Sequence, residues 1–507
     1  MELESVLSQS DGTSVDGTQI EQSFSIPSLS ADHVIPFDSL PFEIASFIFE
    51  HYIYSSLSRQ GPCAPLLLGK ICRKWRGIAW STPSLWARLS IYYQHIMSEM
   101  RAELAKEWLS RSGTLPLVIE LSSFCDDDSC TCTWASMTPK CEQMLEVLIQ
   151  FSDRWHSLTL VLPPPSLEGL TLSCSASILY HLSLDGRWYD QSRDFRIPNY
   201  VRTSLFSSCS PRIVRMSYLN VDLDWTSVVD LTLESVDVED MLYVFRTAPN
   251  LFKCTLADVC HRRFVTMMEE GLITCPSVES LDISFADGSS PGLFFSAVAL
   301  PALKHLSYRG HEVLLYMDDL ILFLTQSFCT LKSLFVNQSE FEPDTSLINL
   351  APFLSALTDL RICDERYYAG GRHTFYHLLA DTNCLPVHLR PVPFLAPGLP
   401  YLPCLETFVW EGPAPYAWET LPGLIQPVVA DSRDAASRCR PLKAVKITCI
   451  MDATDNVPYI PRESLRHLSG YRDVEFKFTA RSAGHDEGGL DLWTASVEKP
   501  YSDEEED

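Results

Sequence analysis

The sequence predicts an α/β protein in two parts: an N-terminal unit of three short helices, then a long, irregular solenoid of strand-and-return repeats. Three observations carry this expectation. Between residues 36 and 90 apolar residues recur every three or four positions, the helical period. Beyond residue 115 the pattern apolar-x-x-apolar-x-apolar returns about ten times, which marks short strands with two inward side chains. In the central run successive copies start roughly 23 to 28 residues apart, an interval that fits one strand and its return segment.

Residues 1–33 are rich in Ser, Asp, Thr and Gln and offer little to bury, so a disordered N-terminus is expected there. The helical unit spans 34–92. Pro41 stands where a first helical residue would, since its missing N–H costs nothing there, and Glu43 adds negative charge to the first turn. Ile44, Phe47 and Ile48 follow at helical spacing and form an apolar stripe that faces a partner. Gly61 and Pro62 break the pattern. A second helix reads from Pro65 through Leu68, Ile71, Trp75 and Ile78, and a third turn after Pro83 carries Leu85, Trp86 and Leu89. A unit of about fifty residues buries too little surface to be comfortable alone. It must either cap the repeats beyond it, as such arrays require, or dock on something else.

Residues 93–114 read as a linking helix, with Ile96, Met100, Leu104 and Trp108 on one face and Gly113 as its stop. Leu117, Ile119 and Leu121 open the first strand of a region that extends from 115 to 480. The repeated pattern runs from Trp155/Leu158/Leu160 and Leu179/Leu182/Leu184 to Leu405/Phe408/Trp410 and Leu442/Val445/Ile447. Its period falls in the range of leucine-rich repeats. Met241–Thr247 and Leu320–Gln326 look like return helices behind the strands. The Asn or Cys that normally follows such a strand is absent; Arg187, Val236, Val259, Ala286 and His311 stand there instead, so an irregular arc is expected. Wider gaps near 185–212, 363–404 and 411–441 predict loops or degenerate repeats, 451–480 a cap, and 481–507 an acidic, disordered tail.

The order Leu40-Pro41-x-Glu43-Ile44, Ile48-Phe49, Cys72-Arg73-x-Trp75 and Leu85-Trp86 resembles an F-box, in the F-box-like version abundant in basidiomycete fungi. With the Pro116-Leu117-x-Ile119-x-Leu121 strand and the irregular repeats, the resemblance runs from about residue 36 to about residue 450. The segment Ser55–Ala64 is longer and less regular than the family pattern. The resemblance implies a substrate-receptor subunit of a Skp–cullin–F-box ubiquitin ligase. Leu40, Pro41, Ile44, Ile48, Cys72 and Trp75 would then form the face that docks on the small Skp-type adaptor, with Trp86 bracing it. The repeats would present outward strand residues to a target protein, among them Asp282, Phe335, Arg361 and Lys446. Phe335 is the expected anchor, because exposed aromatic residues tend to carry binding energy. The rival expectation is a repeat scaffold whose helices only cap the array, with no part in ubiquitination. Exposure of the Leu40/Pro41/Ile44 face separates the two.

Composition narrows the classes. A net charge of −26 leaves little to neutralise phosphates, which argues against nucleic acid and an anionic membrane surface. No stretch approaches eighteen apolar residues, and the first residues lack the basic start and apolar core of a secretory signal, so a cytoplasmic or nuclear protein is expected. Most of the cysteines sit singly in apolar runs and act as small hydrophobes. No phosphate loop, dinucleotide fingerprint, nucleophile elbow or His-Glu-x-x-His pair is present, so neither an enzyme nor a cofactor is expected. Asp318-Asp319 reads as a helix start rather than an acid–base pair. Cys125, Cys130, Cys132 and Cys141 could hold zinc, but the spacing is tight and the intervening aspartates suggest a solvated loop. The proline runs at 163–165 and 391–403 read as stiffened loops. Ser502, followed by five acidic residues, reads equally as an acidophilic kinase site or as plain solubilising charge.

Overall fold

The computed structural model describes residues 37–55, 64–92, 100–123, 134–163, 165–168, 176–186, 201–203, 206–261, 271–288, 290–310, 317–338, 350, 353–363, 373–380, 401–413, 415–426, 440–451, 456–482 and 489–499. The expected disordered N-terminus, the Gly61-Pro62 break, Cys125, Cys130, Cys132 and Ser502 lie outside them.

Among the described residues the fold is mixed α/β around one large, mostly parallel sheet of fifteen strands. In chain order these are β1 (Arg88–Ile91), β2 (Leu117–Ser122), β3 (Trp155–Val161), β4 (His181–Asp185) and β5 (Ile213–Ser217). There follow β6 (Asp230–Glu234), β7 (Lys253–Val259), β8 (Ser280–Phe285), β9 (His305–Gly310) and β10 (Ser333–Gln338). The last are β11 (Asp359–Cys363), β12 (Thr407–Pro413), β13 (Ala444–Met451), β14 (Glu475–Ser482) and β15 (Leu490–Asp491). Each strand pairs with the next in sequence, and only the β14–β15 pair is antiparallel.

Period-two alternation explains the sheet's two faces. Leu158 and Leu160, Leu231 and Leu233, Phe408 and Trp410, and Val445 and Ile447 are all buried on one side. Helices pack on that side: Phe285 of β8 meets Phe294 and Phe295 of the helix Ser290–Ala297, which meet Phe323 of Met317–Ser327. The two expected return helices are present as Val238–Thr247 and Met317–Ser327. Asp237 caps the first by accepting from the Glu239 amide at 3.0 Å.

The strands enter the sheet in a repeated way. The amides of Lys253 and Phe252 share the Val229 carbonyl, those of His305 and Lys304 share Glu279, and those of Thr407 and Glu406 share Thr358. Strand exits compensate for the missing Asn. Tyr218, Ser235 and Asp258 take positive φ of 60°, 55° and 53°, a costly conformation for such residues. Side chains from the next unit answer two of the freed amides. The Ser284 hydroxyl accepts from the Asp258 amide at 2.9 Å, and the Asp287 carboxylate from that of His261 at 2.6 Å.

At the N-terminus α1 (Phe42–Ser55), α2 (Ala64–Ile71) and α3 (Arg73–Trp80) precede a 3-10 turn, Pro83–Trp86, and α4 (Met100–Arg111) follows β1. A separate three-helix unit is not evident. The sheet starts at Arg88, inside the stretch expected to be purely helical, and Trp86 joins helices to strands. Its ring meets Trp80 and Trp108 edge-on at 5.3 and 4.8 Å, and the Trp108 indole donates to the Arg88 carbonyl at 3.1 Å. Gly69 is required by this packing: a Cβ there would overlap the Trp80 ring. Gly113, with φ of 61°, stops α4 as its sequence position suggested.

The C-terminal expectation needs correction. Residues 489–499, assigned by composition to a mobile tail, form β15 and a helix, Leu492–Glu498. Asp491 caps that helix through the Trp493 and Thr494 amides, and Leu492 is fully buried, so a short acidic-looking stretch gains both a cap and a core contact. None of the described helices is long and apolar enough to cross a membrane.

Candidate functional site

Two surfaces stand out, one on the N-terminal helices and one on the sheet. Helix α1 is amphipathic with an unusual outer face. Ala45 and Phe49 point into the core, where Phe49 packs on Phe37 and Trp75. On the other side Ile44 is 49% exposed, Phe47 67% and Ile48 40%, and these positions share a helical face. Helix α2, packed beside α1, exposes Leu67 and Ile71 in the same way. Exposed apolar residues scattered singly need no explanation, but stripes on adjacent helices mark an interaction surface.

The residues expected to dock an adaptor divide by environment. Pro41, Ile44, Ile48 and Cys72 are exposed. Leu40 and Trp75 are half-buried, and Trp75 spends its ring on Phe37 and Phe49. Cys72 is also a helix cap, its sulfur accepting from the Trp75 amide at 3.4 Å. Trp86 is 1% exposed and donates to the Ala79 carbonyl at 2.8 Å, so it braces from within and can touch no partner. Phe47, the most exposed of the stripe, is not among the positions that carry the F-box resemblance, which rests on its neighbours.

On the sheet, strand register settles which outward residues are neighbours. Glu120, Thr159, Ser183, Arg215, Thr232 and Thr255 occupy matched positions on β2 to β7. The same line continues through Asp282, Ser307, Phe335, Arg361, Val409 and Lys446 to Lys477 on β14. The four residues expected to bind a target are therefore in one line. Arg215 and Lys477 belong to it too; both lie on strands that the sequence pattern did not resolve.

Contacts within the line modify the expectation for Phe335. Its ring is half-buried, with the Arg361 guanidinium 4.8 Å above it, a cation–π contact that covers the expected anchor. Asp282 accepts from the Ser307 hydroxyl at 2.8 Å and from Arg309 at 2.7 Å. Glu411 draws in Arg481 and stands 3.9 Å from Arg361. Lys446 reaches Glu475 at 3.8 Å. The surface is thus cross-linked by ion pairs, of which Lys446–Glu475 is exposed enough on both sides to open at small cost.

His181 sits at the entrance of β4, its Nδ1 3.0 Å from the Ser157 hydroxyl oxygen. Burial, and then the Arg215 charge, lower its pKa from the ordinary value. A histidine depressed in this way contributes stability above its unfolded pKa and loses it as pH falls through the folded one. Its NMR titration midpoint should lie below about 6.5 and move up in Arg215→Gln. An ordinary midpoint unaffected by that substitution would remove the coupling.

Cys141 does not belong to a loop. It is fully buried on the helix Trp134–Ile149, and burial pushes its thiol up to about 11, the reverse of what a zinc ligand needs. Asp318 and Asp319 lie in the first turn of Met317–Ser327, as expected of a helix start. No family model matches the chain, and no curated protein matches it either.

Proposed function

We propose that this protein is a substrate-receptor subunit of a Skp–cullin–F-box ubiquitin ligase, with F-box-like helices leading into an irregular leucine-rich-repeat solenoid. The observation that carries the reading is the apolar stripe Ile44/Phe47/Ile48, left open to solvent beside Leu67 and Ile71 on α2. Helices that served only to cap would turn such residues inward. Ile44, Ile48, Pro41 and Cys72 supply the docking contacts, Phe47 is added to them, and Leu40, Trp75 and Trp86 hold their backbone in place. Asp282, Phe335, Arg361 and Lys446 belong to the surface offered to a target protein, where Arg361 must swing off Phe335 for the ring to engage.

The scaffold reading keeps one observation in its favour: Trp86 and Trp108 seal the first-strand end of the sheet, the place for a cap. The test is capture of the host's Skp-type adaptor by purified wild-type chain and by Ile44→Asp/Phe47→Asp. Each side chain buried at an interface is worth roughly 1.5–3 kcal/mol. The double variant should therefore lose about two orders of magnitude or more in affinity, with an unchanged melt. Failure of the wild type to bind would sink the receptor reading and leave the scaffold.

A further inference from the structure

The exposed face of α1 and α2 carries charge as well as apolar surface. Residues 51–98 contain no Asp or Glu, in a chain whose net charge is −26. Lys70, Arg73, Lys74 and Arg76 fall in that stretch, and all four are exposed. Lys70 stands three residues after Leu67 and next to Ile71, so it shares their side of α2. Neither Lys70 nor Arg73 forms an ion pair among the described residues. Of the two carboxylates on α1, Glu50 accepts from the Ser84 hydroxyl and Glu43 lies exposed in the first turn. The face is therefore apolar with a basic rim.

The complementary pattern stands in the same chain. Residues 1–36 hold Glu2, Glu4, Asp11, Asp16, Glu21 and Asp32, and no Lys or Arg. Leu3, Val6 and Leu7 follow the i, i+3, i+4 spacing by which a short helix anchors on an apolar surface, and Glu2 and Glu4 flank them. The tether also starts in the right place. Phe37 packs on Phe49 and Trp75 with ring centroids 5.6 and 4.5 Å away, so the chain joins the helices beside α1 and α3. A flexible linker the length of residues 8–36 spans about 30 Å on average. That exceeds the length of α1, about 21 Å.

We infer that residues 2–7 fold back over α1 and α2 and cover the stripe. Leu3, Val6 and Leu7 lie against Ile44, Phe47, Leu67 and Ile71, and the two glutamates lie on Lys70 and its basic neighbours. The segment then competes with a partner for this face, at an effective concentration in the millimolar range set by its tether. The inference rests on the docking role proposed for the face and adds its control.

The test uses the full chain and a zero-length carbodiimide, which joins a carboxylate to an amine in contact with it. Mass spectrometry should find cross-links from Glu2 or Glu4 to Lys70 and Lys74. They should fall about tenfold in Leu3→Asp/Leu7→Asp, and likewise at about 0.5 M salt, where ion pairs are screened. Cross-links scattered over other lysines, or absent, would overturn the proposal. So would cross-links that run equally between heavy-isotope and light copies mixed together, in favour of contact between chains. The same variant should bind the Skp-type adaptor about tenfold more tightly than wild type, as when a cover closed about nine times in ten is opened. Equal affinity would overturn the proposal by showing that the segment leaves the face open. If the adaptor binds neither form, the receptor reading fails while the cross-links still decide the cover.

Discussion

Arg440→Met should destabilise the C-terminal half of the sheet by about 2–5 kcal/mol, the cost of leaving several buried carbonyls without donors. Arg440 is 4% exposed and forms no ion pair among the described residues. Its Nε donates to the Tyr401 and Leu402 carbonyls at 3.1 and 3.2 Å, its Nη1 to Leu424 at 2.5 Å and its Nη2 to Leu379 at 2.8 Å. Leu379 and Leu424 lie near the C-terminal ends of His373–Ala380 and Leu421–Ile425, where unpaired carbonyls carry partial negative charge. One guanidinium thus ties together three chain segments far apart in sequence. Burial pulls its pKa down to about 9, which leaves it protonated at neutral pH.

Methionine fills similar space but leaves those carbonyls without donors, each at about 1–3 kcal/mol before water relieves some of the cost. Arg440→Lys should recover little, because an ammonium has three donors and lacks the planar fork. A chain of this length need not unfold in one step, so the better reading is hydrogen exchange at 401–413 and 421–426 together with a urea melt. A loss below about 1 kcal/mol would mean that the carbonyls find other donors and that the network is dispensable.

Trp86→Ala should cost about 3–5 kcal/mol through the cavity it leaves. The ring lies between Trp80 and Trp108, with the Arg111 guanidinium 4.8 Å from its face and its indole N–H on the Ala79 carbonyl. Removing it empties the junction of α3, α4 and β1. Exchange protection should fall across residues 64–92 and 100–111 while the centre of the sheet, around β8 to β10, is unaffected. Trp86→Phe should keep much of the packing and lose the indole donor. Uniform loosening of the whole sheet would show that the N-terminal helices and the strands open as one unit, and protection unchanged everywhere would show that the cavity collapses without cost.

Much of the strand pattern was legible because burial of alternate apolar residues follows from their own chemistry. Leu231/Leu233 and Val445/Ile447 point inward as their spacing required. The pattern missed β5, where Val214 and Met216 flank Arg215 out of step with the prevailing interval, and it missed β14, whose Phe476 and Phe478 fell in a stretch reserved for a cap. It also left Leu492–Glu498 in a tail, since one buried leucine and one aspartate cap are too little signal in acidic surroundings.

The outward residues show the same division. Their membership in one line followed from period and register, but their availability did not: Phe335 reads as exposed and is covered by Arg361, and on the helices Trp75 reads as part of the docking face but is half-buried against Phe37 and Phe49. Residue type and spacing dictate which side chains leave water, because that preference belongs to the residue. Which neighbours they then meet is settled in three dimensions. Arg440 had no sequence signal at all, since its partners are backbone carbonyls, which every residue carries, and folding alone selects the few it gathers.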